Sequence, residues 1–165
     1  MVAVVGSTGG SGVTSRSGSW QVIEVRAVVE APPSSVFALL GDSATWPRWT
    51  PIDTYERLEA PGDDGVGEVR RFRNGRTTVT ERVVERVPDR RLTYVLLAGL
   101  ALTDYRAQID LEPQGAGTAL CWYTTFRPRV PGTGWLYRWA LLAATRGFVE
   151  GLAAAAPGVH GPVAT

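Results

Sequence analysis

The stretch Gln21-Val-Ile-Glu-Val-Arg-Ala-Val-Val-Glu30 runs into Ala31-Pro-Pro33, then Ser34-Ser-Val-Phe-Ala-Leu-Leu40, Gly41-Asp42 and Trp46-Pro47-Arg48-Trp49. Ile23, Val25, Ala27 and Val29 alternate with Glu24, Arg26, Val28 and Glu30, the period of a half-buried strand. Pro32 and Pro33 suit the first turn of a helix, where a missing N–H costs nothing. Val36, Phe37 and Leu40 supply that short helix with an apolar face. A second short helix is expected over Ala44 to Trp49.

Outward from this opening, strand-like segments alternate with turn signals. Ile52 to Glu59 stops at Pro61-Gly-Asp-Asp-Gly65, and Gly67 to Arg73 stops at Asn74-Gly75, a hairpin dipeptide. Arg76 to Val87 precedes Pro88-Asp89, Arg91 to Leu97 precedes Gly99, Thr103 to Glu112 precedes Pro113-Gln-Gly115, and Thr118 to Phe126 precedes Pro128. Short connections between successive strands require antiparallel pairing. The last element is a long helix from about Gly134 to Ala156, with Tyr137, Leu141, Ala144, Phe148 and Leu152 on one stripe and Arg138, Thr145, Arg146 and Glu150 away from it. A sheet cannot bury its concave face alone, and this helix supplies the cover. The expected fold is α+β: a seven-stranded antiparallel sheet wrapped around a long C-terminal helix, with two short helices after the first strand. It forms one domain over residues 20–156, with a flexible extension at 1–19 and a flexible tail at 157–165. No repeat or second domain is visible.

Composition excludes several chemistries. All 17 basic residues are arginine, so no Schiff-base lysine exists. Cys121 is the single cysteine and His160, in the tail, the single histidine. That removes an intrachain disulfide, a histidine general base or triad in the pocket, and a Cys/His metal site. Neither a metal nor a cofactor is expected. Asp63-Asp64 reads as a turn and Gly115-Ala-Gly117 as a hairpin loop, with no helix following to make a phosphate cradle. The formal net charge is +1, which offers no bulk field for nucleic acid. No stretch has the apolar length of a membrane span or of a signal-peptide core, and the cytoplasm is the default compartment.

The order of strand, double proline, short helix and Trp46-Pro47-Arg48-Trp49 resembles the opening of the START-like helix-grip superfamily, which contains the polyketide cyclase/dehydrase and lipid-transport proteins. The segments Arg86-Val-Pro-Asp89, Asp104-Tyr-Arg-Ala107 and Gly115-Ala-Gly-Thr-Ala-Leu-Cys-Trp122 look like its later strands, so the resemblance covers roughly Trp20 to Ala156. It implies a hollow fold with an internal pocket. Aromatic-polyketide aromatase/cyclases of this superfamily carry a pocket arginine before the Pro-Asp turn of the fourth strand, the position of Arg86 here. Carrying that parity along the strand points Thr80, Arg82, Val84 and Arg86 inward. The same comparison points Tyr105, Ala107, Ile109 and Leu111 inward on the sixth strand, and Leu120 and Trp122 on the seventh. Where those enzymes often bring further polar or aromatic pocket groups, this chain has residues such as Val84 and Ile109.

The expected partner is therefore a small hydrophobic molecule, aromatic or polyketide/lipid-like, held between the sheet and the last helix. Trp49, Val84, Ile109, Leu111, Trp122, Leu141 and Phe148 would form the wall, with Arg86 and Tyr105 as polar anchors. The enzymatic alternative is a cofactor-free aromatase/cyclase or dehydratase in which Arg86 stabilises an enolate, Tyr105 passes a proton and Arg82 holds a second carbonyl. Against both, Arg82 and Arg86 can equally sit on the convex face and pair with Glu81, Glu85 or Glu68 across strands. The opposite strand parity, with Val79, Val83 and Val87 inward, would bury Glu81 and Glu85. Trp49 stacks on a ligand or plugs the helix–sheet junction. Trp135 and Trp139 are expected to pack over the sheet edge. If exposed instead, they could touch a membrane surface or a partner; with the Arg-rich strand Arg70 to Arg76 they would mark a protein-interaction module.

Overall fold

The computed structural model describes residues 18–157; the expected extension before Gly18, most of the expected tail and His160 lie outside the described residues. The elements follow in the order β1 (Gln21–Val29), α1 (Pro33–Leu40), a 3₁₀ helix (Ser43–Arg48), β2 (Thr54–Glu59), β3 (Val69–Asn74), β4 (Thr77–Val87), β5 (Arg91–Ala98), β6 (Leu102–Gln114), β7 (Gly117–Pro128) and α2 (Gly134–Ala155). The strands form one antiparallel sheet of order β1-β7-β6-β5-β4-β3-β2. The fold is the α+β helix-grip arrangement.

Local chemistry explains the connections. Pro32 and Pro33 open α1 without leaving an orphan donor. The Asp42 carboxylate accepts from the Ala44 N–H at 3.0 Å and starts the 3₁₀ turn, in which Pro47 forbids an extended α-helix. The short element after α1 is therefore 3₁₀, not α. The β3–β4 hairpin closes through Gly75-Arg76, with Gly75 at φ +57°; a glycine meets that left-handed backbone without strain.

Two bulges set which side chains face inward. On β4, Val83 opposes Tyr94 but Glu85 opposes Thr93, so Val84 is an extra residue without a partner. Val79, Glu81 and Val83 face the core before it, and Arg86 faces the core after it, in register with Leu92. The single inward parity expected for Thr80, Arg82, Val84 and Arg86 fails for this reason. Arg82 is on the outer face, half-exposed, its Nη2 3.3 Å from Glu59 Oε2. On β6, a bulge between Thr103 and Arg106 holds Asp104 at φ +53° and turns Tyr105, Ala107, Ile109 and Leu111 to the core side.

α2 packs chiefly on β1, with smaller contacts to β7 and α1. Its contact face is displaced from the expected stripe: Thr145, Val149 and Leu152 are buried, while Ala144 is exposed. Thr145 faces inward because its hydroxyl donates to the Leu141 carbonyl at 2.8 Å, which satisfies the polar group within the helix. Trp135 and Trp139 do not pack over the sheet edge. They are 72% and 69% exposed.

α2 crosses the chain after the 3₁₀ helix at a glycine. A Cβ on Gly151 would lie 1.8 Å from the Trp49 carbonyl oxygen. Gly151→Ala is expected to destabilise the fold by about 1–3 kcal/mol, the usual cost of overpacking. Gly147→Ala, where a Cβ meets nothing within 4 Å, should stabilise it by about 1 kcal/mol through helix propensity. Chemical denaturation of the two variants checks both signs.

Candidate ligand site beneath the long helix

The interior is built round an aromatic block. Trp46 lies 5.2 Å from Phe72 in a stacked arrangement, 5.1 Å from Trp49, and edge-on to Trp122 at 6.0 Å and Phe148 at 6.3 Å. Its indole N–H donates to the Leu40 carbonyl at 3.1 Å. The Trp49 N–H donates to Thr45 Oγ1 at 3.0 Å. Both indoles are thus satisfied core side chains at the helix–sheet junction.

Inside this block sits an ion pair that strand alternation alone does not reveal. Arg70 is fully buried, 0% exposed. Its Nε donates to Glu81 Oε2 at 3.2 Å and its Nη1 to Ser43 Oγ at 3.1 Å. Its Nη2 lies 3.1 Å from the same Glu81 oxygen but is not aligned to donate, and has no hydrogen-bond partner among the described residues. The guanidinium is flanked by the rings of Trp46 at 4.5 Å and Tyr94 at 4.7 Å, a cation–π arrangement strengthened by the absence of water. The network continues outward. Ser43 Oγ donates to Glu68 Oε2 at 2.6 Å, and Glu68 Oε1 accepts from Tyr55 at 2.6 Å and from Arg57 Nε at 3.2 Å.

The two glutamates respond oppositely. Burial pushes the Glu81 carboxyl above its ordinary value, with Arg70 opposing. Burial also pushes on Glu68, but bonds from Ser43 and Tyr55, the Arg70 charge and the Arg57 bond outweigh it and hold that carboxyl below its ordinary value.

A second polar group lies beside the pair. Val83, Tyr94, Ala107 and Thr124 share one cross-strand row. The Thr124 hydroxyl is buried beside Tyr105. Tyr94 and Tyr105 are 6.4 Å apart between ring centroids. Burial pushes both phenols above the ordinary tyrosine range; the neighbouring Tyr105 and then Glu81 add to it for Tyr94, and Glu81 adds to it for Tyr105 while hydrogen bonding to Tyr94 and Thr124 opposes it. Both therefore keep their protons at neutral pH and act as donors, not as bases.

Tyr105 and Leu142 are the two residues that touch both hydrophobic clusters, the large one round Trp46 and a small one of Ile23, Leu102 and Phe126. Val79, Leu96, Leu141 and Phe148 are likewise only partly buried against these clusters. α2 packs chiefly on β1, and these half-buried apolar side chains lie between it and β4 to β6, packed against the two clusters. The expected internal pocket does not coincide with either of the open depressions, which lie elsewhere. Ile109, Leu111 and Trp122 lie deeper, in the packed core. A wider depression of about 1020 Å³ opens elsewhere, at the end of the sheet formed by Arg26, Val28, Arg90, Arg91, Asp110 and Glu112. Its mixed charges and openness do not suit an apolar ligand.

The sequence-derived trio does not converge. Arg82 is outside. Arg86 lies under α1, its guanidinium 5.1 Å from the Phe37 ring, and Gly41 and Gly65 leave room for it. It shares a row with Leu92 and Ile109, whereas Tyr105 is four residues further along β6, roughly 13 Å by strand rise. Val84 is the half-buried bulge residue. Arg70 does not belong to an exposed arginine strand. Cys121 is half-buried on the outer face, its thiol pushed up by burial. Arg70, Glu81, Glu68, Ser43 and Tyr94 are the polar residues that sequence reasoning missed as a site.

No helix among the described residues is long and apolar enough to cross a membrane. The family model described as polyketide cyclase / dehydrase and lipid transport matches residues 19–157. Among solved structures the chain is similar to a START superfamily protein from Mycobacterium smegmatis, at 16% identity over 82% of this chain and 96% of that one, with a TM-score of 0.72. It is also similar to the Mll3558 protein from Rhizobium loti, at 26% identity over 82% and 96% of the two chains, TM-score 0.64. The protein XoxI from Bacillus cereus matches at 20% identity over 82% and 94%, TM-score 0.66. No curated protein matches the chain.

Arg70→Met should cost about 3–5 kcal/mol, because it strands Glu81 in the core, and Arg70→Met/Glu81→Leu should recover much of that loss; a double-mutant cycle of unfolding free energies measures it. Glu68 predicts an acid limb. A carboxyl held below its ordinary value of 4.5 contributes stability that is present above that pH and lost as pH falls through the folded-state value. Glu68→Gln should be less stable at pH 7 and should lose less on acidification, as read by thermal melts across the acid range.

Proposed function

The chain belongs to the polyketide cyclase/dehydrase and lipid transport family, and on that premise we propose that it binds a small, mostly apolar molecule in the seam between α2 and strands β4 to β6. The observation that carries this reading is a set of half-buried apolar side chains from α2, β4 and β5 that adjoins the phenols of Tyr105 and Tyr94. Tyr105, half-buried at the junction of the two clusters, stands beside Tyr94 and the buried Thr124 hydroxyl. Apolar walls with a few polar anchors are what small-molecule sites require. Leu141, Leu142 and Phe148 of α2 would face the ligand from one side, with Val79 and Leu96 from the other. Ile109, Leu111, Trp122 and Trp49 would form the floor behind. The Tyr105 phenol would donate to a carbonyl or hydroxyl of the ligand, and Arg86 would reach only a ligand long enough to run under α1.

A second reading rests on Glu81. A buried carboxyl pushed upward in pKa beside two protonated phenols is the kind of group that moves protons. It supports a cofactor-free cyclase or dehydratase on a poly-carbonyl substrate, with Tyr105 as the proton donor and Glu81, not Arg82, behind it. Incubation with a minimal polyketide synthase discriminates. An altered product profile that Glu81→Gln abolishes favours catalysis, and an unchanged profile favours binding alone.

Native mass spectrometry and thermal-shift screening against aromatic, polyketide and lipid compounds are expected to find a binder. Tyr105→Phe should weaken it about 5- to 10-fold, the worth of roughly 1–1.5 kcal/mol for one hydrogen bond. Leu142→Trp should block it by filling the seam. The absence of any binder, or binding indifferent to both substitutions, would refute the proposed site.

A further inference from the structure

The first turns of α2 carry a surface that the ligand site does not use. Trp135 and Trp139 are one helical turn apart on the same face, 72% and 69% exposed, and Leu136 and Val130 beside them are 47% and 54% exposed. The tip between β5 and β6 lies at the same end of the molecule. Leu102 pairs with Pro128 at the end of β7, the Arg129 N–H donates to the Ala101 carbonyl at 2.9 Å, and Leu100 packs in the cluster that holds Tyr137 and Leu141. Two large aromatic and two aliphatic side chains are thus held toward water on one end of a folded domain, a pattern that marks an interaction surface.

The charges around this end are mostly positive. Between Glu112 and Glu150 the chain has no acidic residue, and it has Arg127, Arg129, Arg138 and Arg146. Asp104 from β6 offsets Arg127, accepting from its Nε at 2.8 Å. Arg129 Nε is held by the Leu102 carbonyl at 3.2 Å. Neither Arg129 nor Arg138 has a carboxylate within ion-pair distance among the described residues. Exposed tryptophans with two arginines near them that no carboxylate neutralises match a lipid–water interface, where indoles settle at headgroup depth and guanidinium groups meet phosphates.

We propose that this end of the protein docks on an anionic lipid surface, with Trp135 and Trp139 inserted at headgroup level and Arg129 and Arg138 on the lipid phosphates. The docked end is also where the seam begins. Tyr137 and Leu141 line the inner side of the same helix turns, so a ligand leaving the bilayer would meet the seam directly. The docking itself stands without the ligand site and is tested without a ligand.

The test is co-sedimentation of the full chain with vesicles of phosphatidylcholine alone and of phosphatidylcholine mixed with phosphatidylglycerol. Binding is expected on the anionic vesicles, much less on the neutral ones, and falling as salt rises. Trp135→Ala/Trp139→Ala should lower the partition coefficient at least about 10-fold, given the area two indoles bury, and Arg138→Gln about 5-fold. Both tryptophans are exposed, so the double variant should melt at the wild-type temperature. No binding to anionic vesicles, or equal binding by the double variant, would overturn the proposal. So would a wild-type dimer that the double substitution dissolves with no vesicle binding, which would assign the patch to a second copy of the chain. A failed ligand screen with vesicle binding intact would count against the seam and leave the docking surface standing.

Discussion

A guanidinium with no access to water must be accommodated by everything round it, and Arg70 organises the interior on those terms. Its charge is met by Glu81 directly across the β3–β4 hairpin, by the Ser43 hydroxyl from the 3₁₀ helix, and by the faces of Trp46 and Tyr94. These come from three elements, β4, the 3₁₀ helix and β5. The hairpin register, the seat of the 3₁₀ helix and the stacking of the aromatic block are therefore conditions on one another. A buried pair of this kind is seldom a large net stabiliser. Its effect is on uniqueness: a slip of the hairpin register would separate Arg70 from Glu81 and leave two uncompensated charges in the core.

The same pair shapes the candidate site. Glu81 places negative charge beside Tyr94 and Tyr105, and this together with their burial keeps both phenols protonated. The polar end of the seam is thus rich in donors, suited to carbonyls and hydroxyls. Arg86 belongs to a separate region under α1, so the interior has two polar stations with an apolar stretch between them.

Much of the fold was legible because local signals and the global pattern agree. The β1 alternation, the double proline, the turn residues and one long amphipathic helix each required the same architecture. The site was less legible, for identifiable reasons. The sequence points to Asn74-Gly75 as the hairpin turn, but the loop is Gly75-Arg76, and the resulting shift is what puts Arg70 and Glu81 opposite each other, both four residues from the closing Asn74–Thr77 pair. A strictly alternating β4 cannot place both Glu81 and Arg86 inside, and a bulge leaves no mark in composition. Trp135 and Trp139 look like packing residues because large aromatics usually are. Their exposure follows from their side of the helix: at about 100° per residue they lie roughly 70° and 110° from the centre of the face that carries Thr145, Val149 and Leu152.

The unpartnered Val84 has a consequence for how relatives of this chain are compared. Inward facing before the bulge is counted from the β3–β4 turn, and after it from Pro88-Asp89. The two counts differ by one residue. A homologue lacking that residue would have a regular strand with the same side chains inside, and an alignment without a gap at this point would exchange the inner and outer faces of half of β4. Val84 is thus where the chain can gain or lose a residue while its interior chemistry stays the same.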